Sequence, residues 1–245
     1  AKPVFVDVLN DQNINPKLIE KAITKKTKAI MPVHLTGKVC NMDEIVYISK
    51  KYNIPIIEDA AQSIGSKFKR KMSGSFGEIG CFSTHPLKNL NACGDGGFLT
   101  TNNKSYYIKA KKMRNHGLED RNLVKNFGYI SRMDTIQAAI LNFRIKNLHK
   151  IITSRRKNAK LFLQKLNRDF FELPYENKNQ LNTYHTFVIK CKFRDKLRNY
   201  LNEKGIGTAI HYPIPIHLQP AAKFLGYKKG SFPITEKQAK TILTI

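Results

Sequence analysis

The chain has 245 residues, 41% hydrophobic, 10% aromatic and 25% charged, a composition that supports a sizeable core and excludes disordered, collagen-like and disulfide-stapled classes. Its 43 Lys and Arg against 18 Asp and Glu give a formal net charge of +25. The excess is scattered along the whole length with no aromatic-interleaved stripe, so anionic small ligands are expected ahead of nucleic acid. No apolar run is long enough to span a bilayer and no signal-peptide pattern opens the chain, so no membrane association and a cytoplasmic location are expected. Cys40, Cys81, Cys93 and Cys191 form no C-x-x-C pair and have no histidine at metal-ligand spacing, which predicts reduced thiols and no metal site.

In chain order, the β-branched run Val4 to Val8 reads as a strand, followed by Lys28 to Leu35 as another. Asn41 can cap a helix whose Ile45, Ile48 and Tyr52 recur at helical spacing. Ile54 to Asp59 then completes a strand, helix, strand unit, which implies parallel pairing in an open α/β sheet. The stretch from Lys67 to Gly77 mixes charge with Gly and Ser and reads as a solvated hairpin or turn. Gly80 to Thr84 and Gly96 to Thr101 are further strands. Ser131 with Asp134 three residues on resembles a capping box, and Ile136, Ile140, Phe143 and Leu148 mark the buried face of a helix that runs past Arg155. Beyond Phe162 the pattern changes to a strand in "TYHTFVIKC", a helix ended by Gly205, the extended "TAIHYPIPIHLQP" and a helical ending, "ITEKQAKTILTI". Residues 1–150 are therefore expected to form a large α/β domain. Residues 151–245 are expected to form a smaller α+β domain joined through the long helix.

Ligands of open α/β sheets gather beyond the carboxyl ends of the strands. Asp59 stands there, directly after an apolar run, with Gln62 three residues on; it either caps the next helix or faces a positive partner. Lys88 follows another strand in the same way, after the His85-Pro86 step. An amine and a carboxylate at two strand ends match what pyridoxal phosphate requires: a lysine that bonds its aldehyde and an acid that keeps its ring nitrogen protonated. Ser83 is placed to bond the phosphate. Gly94, Gly96 and Gly97 fit neither dinucleotide nor P-loop spacing and read as a turn that leads from Lys88 into the next strand. His185, inside its strand, reads as a packing residue.

The segments "PVHLTG", "IPIIEDAAQS", "GSFGEIGCFSTHPLKNLNACGDGG", "MRNHG", "GYISRMDTIQAAIL" and "GIGTAIHYPIPIHLQPA" follow one another in an order and spacing that resembles the DegT/DnrJ/EryC1/StrS family of sugar aminotransferases. The resemblance implies a type I pyridoxal-phosphate transferase fold, with a three-layer, mainly parallel α/β domain and a smaller C-terminal domain. It implies that Lys88 is the cofactor-bonding and proton-carrying lysine, Asp59 the acid at the pyridine nitrogen, Gln62 the amide beside the ring and Ser83 a phosphate ligand. Some relatives with histidine in place of this lysine are dehydratases, so Lys88 points to transamination. The implied substrates are a nucleotide-linked keto-sugar, most similar to a dTDP-linked 3-oxo-6-deoxyhexose aminated at C3, and L-glutamate as amino donor. His85, His211, Tyr212 and His217 fall where such enzymes meet the sugar, and a homodimer with shared active sites is implied.

Two departures from that pattern stand out. Ile130 occupies a position where the family commonly has an asparagine that reaches the partner's cofactor phosphate, and isoleucine donates no hydrogen bond. No counterpart of the family's N-terminal phosphate-cradling segment is found; residue 1 enters a strand almost at once with no initiating methionine and the chain stops just after a helical pattern, so both ends are read as cut. A truncated or inactive remnant is the alternative expectation; a polyanion-binding basic protein is the lesser one.

Overall fold

The computed structural model describes residues 1–245. Helix α1 (Pro16–Ala22) begins on a proline at its first turn, with Asn15 capping through a bond from the Lys17 amide. Helix α2 (Met42–Tyr52) buries Met42, Ile45 and Ile48 on one face. Tyr52 lies on its exposed side, and Asn41 makes no cap bond because its amide donates to Glu44. Strands β1 (Ile57–Asp59), β4 (Ile79–Ser83) and β5 (Gly97–Thr100) form the sheet beneath the candidate site; between β1 and β4 lies the hairpin β2 (Lys67–Phe68) and β3 (Lys71–Met72). Strand β1 pairs parallel with β4, and β5 returns antiparallel. The expected strand at 28–35 shrinks to two parallel bridges, Ile30 to Ile56 and Val33 to Asp59, and Val4 to Val8 keeps only one bridge, Val8 to Ile14.

Helix α3 (Lys104–Met113) leads to α4 (Thr135–Arg144), then a 3-10 turn and the long α5 (Leu148–Lys165). Asp134, not Ser131, takes the N-cap position of α4, and no side-chain cap bond forms. The helix also turns differently from its expected face: Leu141 is buried, whereas Ile136 and Phe143 are both 69% exposed. Strand β6 (Gln180–Leu181) joins β2 to tie the later residues to the first sheet region. Strand β7 (Val188–Lys190), α6 (Arg194–Glu203), α7 (Pro233–Thr241) and β8 (Ile242–Thr244) complete the chain. The ending expected as helix is helix α7 as far as Thr241; only its last residues form a strand, β8, which pairs antiparallel with β7 and buries Ile242 and Leu243.

Two apolar clusters anchor this arrangement. One joins Ile19, Ile30, Ile45 and Ile56 around α2; the other joins Ala159, Phe187, Ile189 and Leu243 around α5 and the β7–β8 pair. Each fully buried aliphatic side chain contributes roughly 1.5–3 kcal/mol, which holds the strand ends in fixed relation to the later segment.

Candidate active site

Successive residues of a strand face opposite ways, and β1 uses this to separate two adjacent carboxylates. Glu58 is fully buried and accepts from His34 Nε2 at 2.9 Å and from the amides of Gly74, Phe76 and Gly77. Burial pushes its pKa up, but the His34 bond and the amides outweigh this and hold it below the usual carboxylate range. Asp59 instead lines a cavity of about 340 Å³ together with Met31, Cys81, Ser83 and Gly96. Its Oδ1 accepts the Ala61 amide at 3.0 Å, leaving Oδ2 for a ligand.

Lys88 lies on the loop after β4. The loop is held by short backbone bonds, Thr84 N to Gly96 O, Ala92 N to Thr84 O and Lys88 N to His85 O, all at 2.8 Å. The Cys93 amide donates to Gln137 Oε1 of α4 at 2.8 Å. Gly97 opens β5, and a Cβ on Gly96 would stand 2.7 Å from Thr84 Oγ1, so close approach is what requires glycine there. Lys88 lines a second cavity, about 410 Å³, which shares Ser83 and Gly96 with the first. That size suits a small-molecule site. Burial pushes the Lys88 ammonium pKa down, and the negative charge of Asp59, which lines the adjoining cavity, partly restores it.

Gln62, His85, His211 and Tyr212 line the same cavity as Lys88. Gln62 Oε1 accepts the Thr36 amide at 2.8 Å, which fixes the side-chain amide with its NH₂ free to donate. Ser83 Oγ accepts the His85 amide at 3.3 Å and His211 Nδ1 contacts Thr244 Oγ1 at 3.0 Å. His217 is not brought to this cavity. It is 3% exposed, packs edge-on to Phe232 at 4.7 Å and bonds Glu236 at 3.0 Å, which is a structural setting within the later residues. Ile130 is 70% exposed and its backbone bridges Asn115.

His185, read from sequence as a packing residue, lines the Lys88 cavity. Its Nδ1 is shut off from solvent with no hydrogen-bond partner. Burial first, then the charges of Lys88, Arg155 and His211, push its pKa down to about 4. The strand expected over "TYHTFVIKC" shrinks to β7, so His185 sits in a bend before it where alternation gives no signal, and its neighbours come from α5, the Lys88 loop and the segment before α7.

The donors and acceptors present fit pyridoxal phosphate: a partly buried lysine amine, a carboxylate with one oxygen free, an oriented carboxamide and a serine hydroxyl line two adjoining cavities that share Ser83 and Gly96. An α/β fold with an amine and an acid so placed is the architecture of a cofactor-dependent transferase.

The DegT/DnrJ/EryC1/StrS aminotransferase family matches residues 1–245, and the chain belongs to it; this is a pyridoxal-phosphate-dependent aminotransferase family. The chain is 41% identical to a "Pleiotropic regulatory protein" of Geobacillus stearothermophilus, over 100% of this chain and 67% of that one. It is 40% identical to the dTDP-3-amino-3,6-dideoxy-alpha-D-galactopyranose transaminase of Aneurinibacillus thermoaerophilus, again over 100% of this chain and 67% of the other. The crystal structure of S. venezuelae DesV in complex with a ketimine intermediate superposes with a TM-score of 0.97 at 34% identity, covering 100% of this chain and 67% of that one. The chain thus spans about two thirds of the length of the relatives it matches. No helix is long and apolar enough to cross a membrane.

Proposed function

We propose that the protein transaminates a nucleotide-linked keto-sugar, a dTDP-linked 3-oxo-6-deoxyhexose aminated at C3, with L-glutamate as amino donor. The observation that carries this reading is the pair of adjoining cavities, one lined by Lys88 and the other by Asp59, with Ser83 and Gly96 common to both. The named activity of the Aneurinibacillus relative supports the sugar class.

When bound, pyridoxal phosphate supplies an electron sink that makes the α-hydrogen of the amino donor acidic. The chain's own residues then have separable tasks. Asp59 Oδ2 holds the pyridine nitrogen protonated. Lys88 Nζ takes the proton from the donor's α-carbon and delivers it, and its lowered pKa keeps a larger neutral fraction available for that work. The Gln62 NH₂ donates to the ring substituent and Ser83 Oγ to the phosphate. His85, His211 and Tyr212 border the space above Lys88 and orient the sugar. Residues 1–150 act as the cofactor domain and 151–245 as the smaller domain that supplies His211 and Tyr212.

The working unit is a homodimer in the cytoplasm. Phe127, Tyr129, Ile130, Ile136 and Phe143 are 69–98% exposed in the single chain, and such apolar exposure favours a covering partner. Full-length protein given glutamate and a panel of dTDP- and UDP-linked 3-keto and 4-keto sugars tests the reading, with amino-sugar formation followed by mass. Product from a dTDP-3-keto sugar supports it; no product from any keto-sugar overturns it.

A further inference from the structure

Three of the seven histidines, His85, His185 and His211, line one cavity with Lys88. The wall they form is short of acid. Asp95 is the one carboxylate residue lining that cavity; its side chain is 92% exposed, lies 3.9 Å from His85 and is not among the charges that act on His185. Behind His185 stands Arg155, about half buried, whose Nη1 donates to the carbonyls of His185 and Tyr184 at 3.0 and 3.3 Å. Arg155 forms no salt bridge, so its positive charge is uncompensated beneath the cavity wall. The groups that act on His185 are therefore Lys88 from the loop after β4, Arg155 from α5 and His211 from the segment before α7.

The imidazole itself is set for one kind of contact. A buried N–H without a partner is costly, so the solvent-excluded, unpartnered Nδ1 keeps its lone pair. The proton then resides on Nε2, which makes no bond within the chain and is the donor His185 can offer to a ligand. His185's backbone is fixed by Arg155 on one side and by Gly37 on the other, where a Cβ would lie 2.9 Å from the His185 amide nitrogen. A rigid donor backed by uncompensated positive charge suits an anion better than a neutral hydroxyl.

We propose that the His185–His211 edge of the Lys88 cavity is the seat of the amino donor's carboxylate, with His185 Nε2–H as its donor. This rests on the transaminase reading, and it gives His185 a ligand that the sugar-orienting roles of His85, His211 and Tyr212 do not cover. A carboxylate docked there supplies the negative charge that the wall lacks, so it favours uptake of a solvent proton by His185. Donor and sugar thus share Lys88 and His211, while His185 serves the donor.

The test uses cofactor-loaded, full-length protein and glutarate, a dicarboxylate with no amino group to react. Binding is followed by calorimetry in two buffers of different ionisation enthalpy, with the His185 imidazole followed by ¹⁵N NMR. The inference expects glutarate binding with net proton uptake near pH 6, an upward move of the His185 titration, and roughly tenfold to hundredfold weaker binding in His185→Phe. His185→Gln, which keeps an N–H donor, should restore part of the affinity without the proton uptake. Glutarate binding that is equal in wild type and His185→Phe overturns the assignment, as does an unmoved His185 titration. An equal effect of inorganic phosphate also overturns it, because the edge is then a general phosphate seat. Borohydride trapping of the cofactor on Lys88, measured in the same variants, separates this inference from the transaminase reading: trapping at Lys88 with no glutarate effect defeats the inference alone.

Discussion

His34 and Glu58 meet in the core, Nε2 to Oε2 at 2.9 Å with both side chains fully buried, one residue before the carboxylate that faces the cavity. His34 Nδ1 accepts the Cys40 amide at 3.2 Å, so its proton is on Nε2 and points at Glu58. A neutral histidine and three backbone amides thereby saturate one carboxylate, which locks the 74–77 loop to β1 and fixes where Asp59 emerges.

Glu58→Gln replaces an acceptor by a group with two N–H donors against donors already in place. It should destabilise the fold by about 3 kcal/mol, measured from denaturant midpoints at pH 7. The native pKa of Glu58 lies below its unfolded value of about 4.3. Its stabilisation is therefore present above that pH and lost as pH falls through the native pKa. The wild type should lose stability across this window, and Glu58→Gln should show a flatter dependence there.

Asp59→Asn removes the negative charge that opposes the burial-driven fall in the Lys88 pKa. The amine should then be more often neutral at pH 8, and cofactor-free protein should react faster with an amine-acylating reagent at Lys88. Transamination should fall by about 10²-fold or more, since the ring nitrogen loses its acid partner. Competitive labelling read by peptide mass checks the first effect, and steady-state rates check the second.

His217→Ala should act on stability. Removing a buried ring packed on Phe232 should cost about 2 kcal/mol, while cofactor trapping at Lys88 stays as in wild type. A variant of normal stability with a raised KM for the sugar would return His217 to the binding site.

Gly37→Ala tests the link between Gln62 and His185. Gly37 has φ +92°, and a Cβ would lie 2.6 Å from Thr183 Oγ1 and 2.9 Å from the backbone nitrogens of Tyr184 and His185. Thr36, its neighbour, gives its amide to Gln62. Strain at positive φ and displaced backbone should lower Tm by several degrees and weaken cofactor binding together, as followed by thermal denaturation and cofactor titration.

How far the sequence is legible follows from what each feature depends on. Asp59 ends one apolar strand and Lys88 lies on the loop just after another, so local pattern places them, with Gln62 and Ser83 at short spacing from them. Ile45 and Ile48 are read correctly from helical periodicity because α2 packs on one side only. The α4 face is misread because Ile136 and Phe143 are apolar yet exposed in the single chain, and periodicity does not tell which surface covers them. The helical pattern of α7 holds to Thr241, but beyond it pairing with β7 wins and buries Ile242 and Leu243 as strand. His217 and His185 exchange their expected settings, since each is defined by distant partners: Phe232 and Glu236 for one, Lys88 and Arg155 for the other.

The central claim is that Lys88 is the lysine that bonds the cofactor. Full-length protein incubated with pyridoxal phosphate, reduced with borohydride, digested and mapped by mass spectrometry tests it most directly. The account predicts one pyridoxyl group on the peptide containing Lys88, absent in Lys88→Ala; a modification that maps to any other lysine, or one that persists in Lys88→Ala, would contradict it.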